Sequence, residues 1–114
     1  MGKKPIPAKN KGGDCFEAAG NFIVNNRHEK DDLILVHGLV TGQGAIAGIK
    51  FAHAWIEDGD LVIDKSNGRD IKIPKMLYYA LGNVKKTFRY TAEEAVEKML
   101  DVGHYGPWDL KSEY

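Results

Sequence analysis

Residues 50–64 read KFAHAWIEDGDLVID, two apolar-rich segments on either side of Asp58-Gly59. Such segments around an Asp-Gly pair predict a β-hairpin with a two-residue loop, because a type I′ turn needs positive φ at both loop positions. Counting outward from an Asp58-Gly59 loop sets Ile56 opposite Leu61, Trp55 opposite Val62, Ala54 opposite Ile63 and His53 opposite Asp64. Residues directly opposed on neighbouring strands have Cβ atoms ~4.5–5.5 Å apart on one face. This register places a carboxylate where it accepts from one imidazole nitrogen, fixing the tautomer and leaving the other nitrogen free. Trp55 and Val62 share that face and shield the pair from water. Ala52, Ala54, Ile56, Leu61 and Ile63 form the other face, which is uniformly apolar and belongs to the core.

Upstream, Pro5, Pro7, Gly12 and Gly13 mark residues 1–12 as an irregular arm. Asp14-Cys15-Phe16-Glu17 has the form of a capping box, and Ala18, Ala19, Phe22 and Ile23 continue at helical spacing. A helix from Cys15 to about Asn25 is predicted. Residues 33–40 read as a strand, 50–57 and 61–66 as two more, and 65–70 as a polar loop. Pro74 opens a short helix that Gly82 follows. Residues 84–90 form a further strand, and a second capping box, Thr91 to Glu94, opens a helix that Gly103 stops. The order predicts one α+β domain over 1–114, an N-terminal helix packed on a mainly antiparallel sheet.

The 114 residues suffice for one hydrophobic core, and 43% hydrophobic with 28% charged residues is ordinary for a globular chain. Sixteen basic residues balance sixteen acidic ones, which gives no footprint for nucleic acid. The one cysteine cannot form an intramolecular disulfide, and neither a signal peptide nor a membrane span is legible, so a cytoplasmic location is expected.

Cys15 stands at the first helical position, where the helix dipole favours a thiolate over a neutral thiol. A nucleophile at a helix start and an oriented imidazole together point to thiol catalysis. His37 competes for the role of base, but no carboxylate is placed by register to orient it, and a strand histidine with a local hydrogen bond is expected. His104 lies in Gly103-His104-Tyr105-Gly106-Pro107-Trp108, an aromatic segment expected to dock on the core. The spacing of four histidines and one cysteine fits no metal site, and Gly42-x-Gly44 lacks the rest of a phosphate loop. No cofactor is expected.

Gly13-Asp14-Cys15 before a helix, then His53-Ala54-Trp55-Ile56-Glu57, then Val62-Ile63-Asp64, resembles the transglutaminase-like superfamily within the papain-like fold. The resemblance covers residues 12–66. It implies Cys15 as nucleophile, His53 as base and Asp64 as its orienter. The family often continues Asp-Pro-Thr, where this chain has Asp64-Lys65-Ser66. The Cys15 backbone N–H, Asn10 and Gln43 are candidate donors for an oxyanion, and Trp55 a candidate substrate contact.

These observations together predict a cysteine-dependent peptidase, deamidase or transglutaminase acting on an amide bond of a peptide or protein through a thioacyl-enzyme. So small a domain leaves room for a partner or a homodimer to complete the cleft. The alternative is a peptide- or protein-binding module that keeps the fold with an idle triad, or a His53–Asp64 pair that only staples two strands.

Overall fold

In the computed structural model the described residues are 14–110, apart from 31 and 43. The expected arm (1–12) and the candidate donors Asn10 and Gln43 lie outside them. Strands β1 (Leu33–Thr41), β2 (Lys50–Asp58), β3 (Leu61–Asp64), β4 (Ile71–Pro74) and β5 (Lys85–Thr91) form one sheet in the order β4-β3-β2-β1-β5. Every neighbouring pair is antiparallel. Helix α1 (Cys15–Asn26) precedes the sheet, α2 (Lys75–Gly82) links β4 to β5, and α3 (Ala92–Val102) follows β5.

The alternation of β2 sorts the core into two layers. Ala54 and Ile56 pack with Ala19, Ile23 and Ala95 on the α1 and α3 side, whereas Trp55 packs with Val36, Val62 and Tyr79 on the α2 side. Full burial of side chains such as Ile23, Leu35 and Ile56 stabilises the fold by ~1.5–3 kcal/mol each. No helix among the described residues is long and apolar enough to cross a membrane.

Several local expectations need correction. The hairpin loop is Gly59-Asp60, not Asp58-Gly59: Asp58 stays in β2 opposite Leu61, and Ile56 faces Ile63. Gly59 takes the first loop position with φ +62°, the only positive φ a type II′ turn requires. Asp58 is held in the strand by pairing with Leu33 and by an ion pair to Lys30 at 3.4 Å. The β3 partner of each β2 residue moves by two positions, so every side chain keeps its face. His53 and Asp64 are therefore diagonal neighbours, not direct opposites.

The capping box at Asp14 does not form; Asp14 is the N-cap residue, but its side chain makes no capping bond. The second box, Thr91 with Glu94, is complete, and Gly103 ends α3 with φ +80°. Helix α2 runs through Gly82, and Asn83 takes the left-handed position instead. Strand β4 has no counterpart in the sequence expectation, since Ile71-Lys72-Ile73 is too short to show a period.

Candidate active site

The site forms where β2 outruns β3. The β2–β3 ladder ends at Ile56 and Ile63, while β2 continues back to Lys50 paired with β1. After Asp64 the chain leaves the sheet in a 3-10 turn, Ser66–Gly68, with Asn67 in the left-handed region at φ +55°. Asn67 donates its backbone N–H to Asp14 Oδ1 at 2.7 Å. The carboxylate that would have capped α1 thus ties the helix start to the turn behind Asp64, and Cys15 comes to the notch beside β2.

Asp64 is 2% exposed and fully engaged. Its Oδ1 accepts from Ser66 N–H at 2.9 Å and Ser66 Oγ at 2.6 Å; its Oδ2 accepts from Tyr78 Oη at 2.7 Å and lies 3.1 Å from His53 Nε2. A diagonal pair has its Cβ atoms within about 7–8 Å, a gap that an imidazole and a carboxylate together bridge. Burial alone would raise the Asp64 pKa, but the hydrogen bond and charge of His53 and the Ser66 donors hold it well below the usual carboxylate range. Burial alone would lower His53; hydrogen bonds to Asp64 and Cys15, with their charges, instead raise it from 6.5 to about 9. Tyr78 is pushed up by burial and by the Asp64 charge, so it remains a donor.

Cys15, His53 and Asp64 line one cleft of about 740 Å³, whose other walls include Phe51, Ile71, Ile73 and Leu81. That volume suits a small-molecule or peptide segment. The structure thus brings together the three residues singled out in the sequence, and adds Tyr78 and Ser66 as supports of Asp64. Neither had a sequence signal beyond Ser66 standing two residues after Asp64, a spacing at which a carboxylate bonds back to the main chain.

Other candidates stand elsewhere. Trp55 is fully buried, donates to Glu57 Oε2 at 3.1 Å and is not among the residues that line the cleft; its ring centroid lies 6.1 Å from that of His53. His37 is fully buried, and the expected local hydrogen bond is absent: neither ring nitrogen has a partner among the described residues. It sits against Phe16, Tyr90 and Trp108 with centroids 4.7–5.1 Å away, and burial lowers it to about 4 despite the Asp109 charge. His104 is exposed; its Nδ1 accepts from Gly106 N–H and its carbonyl from Trp108 Nε1. The terminal aromatic segment therefore docks on the core through Trp108. Among the described residues no group of three or more His, Cys, Asp or Glu side chains is placed to hold a metal ion.

Comparisons with protein-family models, curated proteins and solved structures returned no match.

Proposed function

We propose that the chain is a cysteine-dependent acyl-transfer enzyme of papain-like, transglutaminase-like type, acting on an amide bond and resolving its acyl-enzyme with water. The observation that carries this reading is the His53–Asp64 pair facing Cys15 at the wall of an open cleft. A buried staple between strands would have no need of a thiol at a helix start. The elevated His53 favours an imidazolium beside the sulfur, the charge state in which a thiolate is kept ready.

The thiolate attacks the carbonyl carbon, and the resulting oxyanion is met by first-turn N–H groups of α1, which have no intrahelical acceptor. His53 gives its proton to the leaving nitrogen as the carbon–nitrogen bond breaks, leaving a thioester on Cys15 and an amine. His53, now neutral, takes a proton from water as its oxygen attacks the thioester; the carbon–sulfur bond breaks, the carboxylic acid leaves and the thiolate–imidazolium pair is restored. Asp64 orients the ring throughout and stays ionised.

The test is an acid-quenched reaction with p-nitrophenyl esters, read by intact mass and peptide mapping. An acyl adduct is expected on Cys15 of the wild type and absent from Cys15→Ser. Turnover of an amide substrate should fall as pH rises through about 9, where His53 loses the proton the leaving group needs. Acylation spread over lysines with Cys15 unmodified would refute the reading.

A further inference from the structure

From the walls of the cleft, and resting on the acyl-transfer reading above, we infer that the substrate is an extended polypeptide segment bound through large apolar side chains. Apart from Cys15, His53 and Asp64, the one charged side chain among the described lining residues is Arg69. A cationic substrate side chain lying in this trough would lose water and find Asp64 already engaged, and an anionic one would find a partner at Arg69 alone among the described lining residues, whereas an apolar one gains by leaving water.

The apolar surface also continues beyond the cleft. Leu81 on α2 and Ile46 on the loop between β1 and β2 both line the cleft, yet are 55% and 46% exposed. Leu77, four residues before Leu81 and on the same side of α2, is exposed as well. Ile46 is fixed in place by the loop folding onto Gly42: Gly42 N–H donates to the Ile49 carbonyl at 2.7 Å, and a Cβ at Gly42 would strike the Ile46 carbonyl and side chain. Two separate segments thus flank the nucleophile with exposed aliphatic groups, as successive side chains of an extended chain require. Asn67 and Arg69 add polar groups to the lining, suited to a peptide main chain rather than a hydrocarbon tail.

The full chain carrying Cys15→Ala allows binding to be read without turnover. Fluorescein-labelled peptides of equal length, one rich in Leu and Val and one in Gly and Ser, are titrated by fluorescence anisotropy beside a labelled fatty-acyl amide. The apolar peptide should bind at least tenfold more tightly than the polar one, and Leu81→Asp or Ile46→Asp should each weaken it roughly tenfold, the loss that follows from one Leu-sized contact. Leu100→Asp, on α3 and 81% exposed, should leave binding unchanged. Both cleft positions are partly exposed, so the variants should fold, as circular dichroism checks. Equal binding of the two peptides, indifference to both cleft substitutions, or binding of the fatty-acyl amide alone would overturn the inference. Peptide binding without any acyl-enzyme in the wild type would support it and count against acyl transfer alone.

Discussion

His53 and His37 are two buried imidazoles whose surroundings drive them in opposite directions. His53 meets a carboxylate held by a serine and a tyrosine, and gains affinity for a proton. His37 meets three aromatic rings and the Gly106 backbone, where a Cβ would come within 2.5 Å of its Cε1, and loses that affinity. Its folded-state value of about 4 lies below the 6.5 of an unfolded chain. The unfolded state therefore binds the proton first, so the full stability is present above about pH 6.5 and declines as pH falls toward 4. The difference amounts to about 3 kcal/mol at the acid end. His37→Leu should flatten that decline without loss of stability at pH 7, since an apolar group there leaves no unsatisfied nitrogen. Urea denaturation at pH 7 and pH 4.5 measures both. An unaltered acid decline in the variant would assign it to other groups.

At the scale of elements, the start of α1 decides whether Cys15 meets His53, and it is fixed from outside the helix. Asp14→Ala removes the acceptor of the Asn67 N–H and should cost about 1 kcal/mol of stability. It should also slow alkylation of Cys15 at pH 6 severalfold, because the helix start is no longer tied to the turn behind Asp64. Stopped alkylation time courses with iodoacetamide, compared with Asp14→Asn, which keeps an acceptor oxygen, check this.

The same elements mark how far the sequence was readable. Helix α1 followed from helical spacing, α3 from its capping box and stop glycine, β1 from an aliphatic run and β5 from weak alternation, and the alternation through Ala52-His53-Ala54-Trp55-Ile56 correctly sorted the two faces of β2. The register did not follow, because Asp-Gly specifies a turn without specifying which two residues occupy its loop. Side-chain parity survived the error, so His53 and Asp64 still shared a face. Asp14 could not be read as a tie to Asn67, a residue 53 positions away, and Tyr78 lay on a helix whose distance from Asp64 no local pattern encodes.

Taken whole, the molecule brings Cys15, His53 and Tyr78 together at the seam between its two packed layers. Helix α1 covers one face of the sheet and α2 the other; Cys15 comes from the first, Tyr78 from the second, and His53 from the strand between them. The α2 side has a further anchor in buried Glu57, which does not bond to Cys15, His53 or Asp64. It accepts from Tyr79 Oη at 2.6 Å and Trp55 Nε1 at 3.1 Å and pairs with Arg89 at 2.7 Å on β5. Burial would raise this carboxyl, yet the Tyr79, Trp55 and Arg89 donors keep it ionised. This anchorage lets His53 be removed while the layers stay together, which makes the central claim testable. The measurement is the rate of Cys15 alkylation by iodoacetamide from pH 5 to pH 10 in wild type and His53→Ala, each checked for folding by circular dichroism. If His53 and Cys15 form a working pair, the wild type reacts appreciably at pH 5–6 and His53→Ala loses most of that reactivity, reacting only as an ordinary thiol does at alkaline pH. Superimposable profiles of the ordinary-thiol form in both proteins would contradict the account.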